Sequence, residues 1–266
     1  AKRVPHGVVG VISPFNFPLV LSVRSIAAAL AFGNTVVHKP DPRTPISGGI
    51  IIARIFEEAG LPRGVLQVVP GGADAGEAMC TDPNIAMISF TGSARGGSKV
   101  AEIAGRHFKK VQLELGGKNP QIVFPDANLD EFIDAAVFGA YFNAGECCNA
   151  GSRLILHKDI ASDVVARVAE LSKKVKVGDP LDPLTQVGAI ITPQHLEKIS
   201  SYVAGASDGG AKVAFGGGAL DLGMGQFMAP TILSGVTRDM AVAREEVFGP
   251  VLSILTFETV EEAIQI

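Results

Sequence analysis

In the first 115 residues, short apolar runs alternate with longer stretches of helical periodicity, and this rhythm limits the fold more than any other feature. Residues 8–12, 35–38, 66–69, 86–90 and 111–115 read as strands, and residues 19–32, 46–59, 75–79 and 97–105 as helices. Gly33-Asn34 and Gly60 stand where helices should stop, as left-handed caps do. The strand runs are apolar at successive positions, which suits strands covered on both faces of a parallel sheet. The prediction is a doubly wound α/β unit.

The pair Gly116-Gly117 marks a plausible hinge, and a looser version of the same rhythm follows it. Strands are predicted at 121–124 and 154–157, with helices at 129–142, 160–174 and near 193–206. Ala214-Phe-Gly-Gly-Gly-Ala reads as a glycine-rich turn. A second α/β domain is the simplest account, with domains at 1–115 and 116–266. A chain of 266 residues has room for two. Composition closes off other classes. Hydrophobic residues at 47% exclude a disordered chain. The net charge is only −4, with no basic run longer than two residues, so no nucleic-acid partner is expected. No segment reaches the ~18 uninterrupted apolar residues of a membrane span, and no secretory leader pattern is visible. Cys80, Cys147 and Cys148 cannot make a paired disulfide framework, which points to a reducing compartment, the cytoplasm. The chain opens at Ala1 without Met and stops at Ile266 inside an apparent amphipathic helix. Both ends are expected to be cut.

Several segments carry possible chemistry. In Asn143-Ala-Gly-Glu-Cys-Cys-Asn-Ala-Gly a helix ends and two thiols lie between Gly145 and Gly151. Free cysteines are usually small core residues. Asn143, Asn149 and Arg153 speak instead for a loop, where a partly exposed thiol near oriented N–H groups acts as a nucleophile. In Leu113-Glu-Leu-Gly-Gly-Lys-Asn-Pro, Glu114 ends an apolar strand with no cation before Lys118. It is either a strand-end residue turned to solvent or a general base with a raised pKa. In Ser13-Pro-Phe-Asn-Phe-Pro, Asn16 is either a helix N-cap or an amide donor to a developing oxyanion. Strand-to-helix turns of this kind line the ligand crevice of open α/β sheets. Pro70-Gly-Gly-Ala-Asp-Ala-Gly and Phe90-Thr-Gly-Ser-Ala-Arg-Gly-Gly also join strand to helix, the arrangement that places phosphate at a helix N-terminus. The strict G-x-G-x-x-G fingerprint is absent, but with Lys39 ending a strand these turns make a nucleotide site reasonable. His6, His38, His107, His157 and His195 have no metal-ligand spacing, so no metal is expected.

Six pieces in order, Pro14-Phe-Asn-Phe-Pro, His38-Lys-Pro, Phe90-Thr-Gly-Ser, Leu113-Glu-Leu-Gly-Gly-Lys, Gly145-Glu-Cys-Cys and Glu245-Glu-Val-Phe-Gly-Pro-Val, resemble the aldehyde dehydrogenase superfamily from end to end. The run Lys39-Pro-Asp-Pro-Arg-Thr-Pro, with the Asn16 turn, looks most like the benzaldehyde dehydrogenase branch. The resemblance implies a Rossmann-like cofactor domain over 1–115, incomplete at its start, then an α/β catalytic domain over 116–266, incomplete at its end. It implies NAD(P)-dependent oxidation of an aldehyde, aromatic in that branch, to the carboxylic acid. Cys148, third after Gly145, matches the family nucleophile, and Cys147 its variable neighbour. Glu114 matches the general base and Asn16 the oxyanion donor. Lys39 matches the residue on the adenosine ribose. Ser13 and Phe15 are carried over as cofactor contacts, and Gly71, Ser93 and Gly97 fall in turns near the pyrophosphate and adenine. Glu246 and Phe248 match the pair that holds the nicotinamide ribose and ring.

The resemblance also implies NAD or NADP as cofactor and a homodimer or homotetramer for the full-length protein. Departures from the family pattern are Glu146 for Gln and Phe15 for Trp. A third is Pro42, where strictly NAD-dependent members carry an acidic residue. Pro42 leads to the expectation that NADP is tolerated, with Lys39 and Arg43 on its phosphate. Two rivals remain, a CoA-acylating semialdehyde dehydrogenase and a non-catalytic homologue. Glu114 counts against the first; Cys148, Glu114 and Asn16 together count against the second. Because family members approach twice this length, the 266 residues alone are expected to aggregate and to be nearly inactive.

Overall fold

The computed structural model describes residues 2–266, and the chain divides into two compact units, one ending at Gly116 and the other Gly117–Ile266. The first unit runs β1 (Val8–Ile12), α1 (Pro18–Ala31), β2 (Thr35–Lys39), α2 (Ile51–Glu58), β3 (Leu66–Val68), α3 (Ala73–Thr81), β4 (Ile85–Gly92), α4 (Ala94–Arg106) and β5 (Lys110–Leu115). All five strands are parallel, in the order β3-β2-β1-β4-β5. This is the Rossmann-like doubly wound sheet. The chain moves outward from β1 to β3, then returns to lay β4 on the other side of β1. That reversal is the switch point at which open α/β sheets bind ligands, beyond the carboxyl ends of their strands. Ser13 follows β1, Pro40 follows β2 and Ser93 follows β4, so all three lie at that end of the sheet.

Cover on the sheet is uneven. Val9, Val11, Val36 and Ile88 on the three inner strands are buried. On β5, five of six residues are exposed, and β3 is only half-covered. The expectation of strands shielded on both faces therefore fails at these two, because they are the edges. The predicted helix 46–59 also starts differently. Ile46–Ile50 is a wider turn, with the Ile51 N–H reaching the Ile46 carbonyl. It contains Gly48-Gly49, a pair of weak helix formers, and regular helix begins only after them.

His38 on β2 is fully buried, with Nε2 2.8 Å from Ser13 Oγ. The Ser22 hydroxyl donates to Ser13 Oγ at 2.7 Å, which leaves the Ser13 proton to be donated to an unprotonated Nε2. Burial, helped by the Lys39 charge, lowers the His38 pKa from 6.5 to about 4. Between those values the unfolded chain binds a proton that the folded chain refuses, so stability falls as pH drops through that window. The loss is roughly 3 kcal/mol by pH 4. Denaturant unfolding of the complete protein between pH 7 and 4 should show it, and His38→Gln should flatten the slope. Identical slopes would mean that other groups set the acid sensitivity.

The second unit contains β6 (Pro120–Val123), α5 (Leu129–Tyr141), β7 (Arg153–His157), α6 (Lys158–Ser172), α7 (Pro193–Asp208), β8 (Lys212–Phe215), β9 (Ala219–Leu220), β10 (Phe227–Met228), β11 (Thr231–Ser234), α8 (Ala241–Arg244), β12 (Val251–Phe257) and α9 (Val260–Gln265). Its main sheet has the order β6-β7-β12-β11-β8, parallel except for β8, which pairs antiparallel with β11. β12, buried at six of its seven positions, lies between β7 and β11. The turn predicted from Ala214 is narrower than expected. Ala214 and Phe215 belong to β8, and Gly216 and Gly217 make the turn with positive φ. No helix among the described residues is long and apolar enough to cross a membrane.

Candidate active site

After α5 ends at Tyr141, the chain turns through Asn143, Ala144 and Gly145, three successive residues in the left-handed region, at φ 51°, 56° and 69°. For the first two this conformation costs on the order of 1 kcal/mol each. At Gly145 no other residue fits, because a Cβ would stand 2.2 Å from the carbonyl oxygen of Gly249. Polar contacts hold the turn in place. Asn143 Nδ2 donates to the Glu146 carbonyl at 3.3 Å, and the Glu146 N–H donates to the Asn143 carbonyl at 3.0 Å. Beyond the thiols, Asn119 Nδ2 donates to the carbonyls of Cys148 at 2.8 Å and Ala150 at 3.2 Å. The cysteine pair is thus gripped from both sides.

Within it the two thiols differ. Cys148 is exposed, whereas Cys147 is half-buried and its Sγ donates to Asn149 Oδ1 at 2.8 Å. Burial pushes the Cys147 thiol above its usual pKa. The thiolate is the nucleophilic form, so that environment disfavours Cys147 for attack.

The Glu246 and Phe248 segment follows α8. Glu246 Oε1 accepts from the Gly117 N–H at 3.4 Å. Burial raises the Glu246 pKa against the opposing pull of that N–H, Lys198 and Lys118. Lys118 is half-buried with its Nζ shielded from solvent and without a protein partner, and burial aided by Arg153 lowers its pKa to about 8. Phe248 is left-handed at φ 59°, and its carbonyl accepts from His195 Nε2 at 2.7 Å. In this unit the structure brings the Cys148 turn and the Glu246–Phe248 segment together through the packing of Gly145 on Gly249. In the sequence Glu146 is only a departure from the family's Gln, and His195 a histidine without metal-ligand spacing. Glu146 is in fact buried beside that junction, 3.6 Å from His195 Nε2. No spacing rule links residues so far apart in the chain.

The remaining candidates lie in the first unit. Asn16 is half-buried in the turn after β1. Phe17 takes the helix-cap position and Pro18 the first helical one, so the cap reading of Asn16 falls away. Ser13 is buried, its hydroxyl engaged between Ser22 and His38. Phe15 carries the Arg43 guanidinium 4.0 Å above its ring. The same guanidinium forks onto Asp41, with both bonds at 2.7 Å. Burial works to raise the Asp41 pKa, but hydrogen bonds and charge from Arg43 hold it below the usual carboxylate range. Lys39 is buried, and Nζ donates to the carbonyls of Pro40 and Gly71, each at 3.1 Å.

Ser93 caps α4, its Oγ accepting from the Gly96 N–H at 3.2 Å. Gly97 lies inside the first turn of α4, with its N–H bonded to the Ser93 carbonyl at 2.9 Å. Its bare Cα lets the helix pack on Leu115 of β5. Glu114, near the end of β5, takes the solvent-turned setting that its sequence position allowed: its side chain is 50% exposed and 3.7 Å from Arg24 of α1. The edge position of β5 opens it to water.

The match to known proteins runs the whole length of the chain. The model of the aldehyde dehydrogenase family matches residues 1–266, and the chain belongs to that family. It is 46% identical over 266 residues to a vanillin dehydrogenase of an Amycolatopsis species, covering 100% of this chain and 54% of that protein. It is 44% identical over 265 residues to a benzaldehyde dehydrogenase [NAD(+)] of Pseudomonas putida, with coverage of 100% and 54%. Among solved structures, an NAD-dependent aldehyde dehydrogenase from Sinorhizobium meliloti superposes with a TM-score of 0.96 at 47% identity, over 98% of this chain and 52% of that one. The chain spans about half the length of the curated relatives it matches.

Proposed function

We propose that this chain carries the cofactor-binding part, residues 1–115, and a catalytic part, residues 116–266, of an enzyme that oxidises an aldehyde to the carboxylic acid with NAD. One observation carries the reading: in a chain that matches the family throughout, Cys148 presents an exposed thiol on a glycine-dependent turn gripped by Asn119. The residues present fit a dinucleotide. The Ser93-capped end of α4 lies at the switch point of the sheet, suited to phosphate. Lys39 offers an amine to a ribose, and the Glu246 carboxylate and Phe248 ring would hold the nicotinamide half.

When bound, the nicotinamide supplies a hydride acceptor. The protein's residues do the rest. The Cys148 thiolate adds to the aldehyde carbon, and the Asn16 amide with the Cys148 N–H stabilises the oxyanion. Loss of hydride from that carbon leaves a thioester on Cys148. Glu114 removes a proton from water, which attacks the thioester and releases the acid and the thiolate. The vanillin and benzaldehyde relatives support an aromatic aldehyde as substrate. A homodimer or homotetramer in the cytoplasm completes the reading.

The test is aldehyde-dependent reduction of NAD by the complete protein, with and without CoA. Turnover without CoA, yielding the free acid, is expected. A strict requirement for CoA would overturn the hydrolytic step, and no turnover with any aldehyde would overturn the reading. NADP should also be accepted. Pro42 places no carboxylate on the ribose hydroxyls, and the Asp41 charge is answered by Arg43. Arg43 is thereby engaged, which leaves Lys39 as the cation for a 2′-phosphate. Comparison of kcat/KM for the two cofactors decides this: an NAD preference above about a thousandfold, some 4 kcal/mol, would refute it.

A further inference from the structure

Three separated segments meet behind the Cys148 turn. Glu146, buried at 5% exposure, accepts from the Ile191 N–H through Oε1 at 3.2 Å. Ile191 leads into α7, where Thr192 caps the helix by accepting from the His195 N–H at 3.2 Å. His195 therefore stands in the first turn, with its backbone fixed. Its Nε2 lies 3.6 Å from Glu146 Oε1 and 2.7 Å from the carbonyl oxygen of Phe248. A carbonyl can only accept, so Nε2 carries the proton, and the carboxylate beside it favours that arrangement. Phe248 needs such a restraint, because a non-glycine residue at φ 59° persists only where its surroundings hold it. Packing closes the same junction. A Cβ on Gly249 would stand 2.5 Å from Ile199 Cδ1 of α7, and one on Gly145 2.2 Å from the Gly249 carbonyl oxygen.

We infer that Glu146 and His195 are a positioning couple that fixes the Phe248 backbone against the Cys148 turn and so sets the affinity for the nicotinamide cofactor. This rests on the reading that Phe248 belongs to the cofactor site. Neither residue touches the reacting atoms in this role. The couple acts on where the Phe248 ring stands and leaves the chemistry of Cys148 intact.

The experiment uses the complete protein and measures NAD dissociation by calorimetry, KM and kcat separately, and hydrogen exchange at the amides of 246–251. His195→Ala is expected to weaken NAD binding about tenfold and to raise the KM for NAD by a similar factor. The kcat at saturating NAD should stay within about threefold. Exchange at 246–251 should accelerate. His195→Gln, whose amide still donates to a carbonyl, should restore most of the affinity. Glu146→Ala should weaken binding in the same direction, and the double variant should lose less than the sum of the two. Unchanged NAD affinity in His195→Ala, or no restoration by His195→Gln, would overturn the inference while leaving the function standing. If the unsubstituted protein binds no nicotinamide cofactor, the functional reading fails instead. Hydrogen exchange then judges the couple: faster exchange in both alanine variants upholds the restraint on Phe248, and unaltered exchange removes it.

Discussion

Cys148→Ser should abolish aldehyde oxidation, with a loss of at least about 10⁴-fold in kcat, while Cys147→Ser keeps most of it. A serine hydroxyl in the same place is far less acidic than a thiol, and no base beside it compensates in the proposed mechanism. The adjacent thiol is a poor substitute for structural reasons. Cys147 is half-buried, its Sγ engaged by Asn149, and its pKa pushed upward by burial. Cys148 is exposed, so alkylation by iodoacetamide should follow the same order, faster at Cys148 than at Cys147. Steady-state rates with both cofactors, together with mass mapping of the alkylated residue, check the assignment. Activity surviving in Cys148→Ser but lost in Cys147→Ser would reverse it.

The second large effect concerns Glu114. In Glu114→Gln, rapid mixing with aldehyde and NAD should give a burst of reduced cofactor close to one per site, followed by steady turnover lowered about 10²- to 10⁴-fold. The amide keeps the shape of the side chain and removes its basicity. Addition to the aldehyde and loss of hydride need no base at this position, so the first turnover survives; hydrolysis of the thioester needs one, so the acyl group accumulates on Cys148. Mass spectrometry of the quenched protein should find it there. The half-exposed side chain of Glu114 gives the carboxylate access to water. Normal steady turnover in Glu114→Gln would show that another group activates water.

The two halves of the chain were unequally legible. In the first unit each strand is local, joined to the next by one helix, and parallel order follows from that alternation. The predicted boundaries there fall within a few residues of the observed ones, as with Val8–Ile12 predicted and found. In the second unit β12 went unread. It lies between β7, nearly a hundred residues earlier, and β11, and no periodicity within its seven residues announces such neighbours. The same limit applied to charge. The Arg24 that meets Glu114 stands ninety residues away in the chain, a partner that residue order does not announce.

By itself the sequence determined what local chemistry dictates: helix ends at Gly33 and Gly60, thiols in a glycine-flanked turn, and motifs whose order resembles one family. These follow from backbone sterics and from residue types within a few positions of each other, so they survive without coordinates. The tertiary structure alone decided which side chains are buried and what they meet. It separated Cys147 from Cys148, put Glu114 on an exposed edge, engaged Ser13 with a neutral His38, and set Glu146 beside His195 against the carbonyl of Phe248. Most of these depend on groups tens of residues apart being held within a few ångströms, where hydrogen bonding and desolvation become strong enough to choose between alternatives.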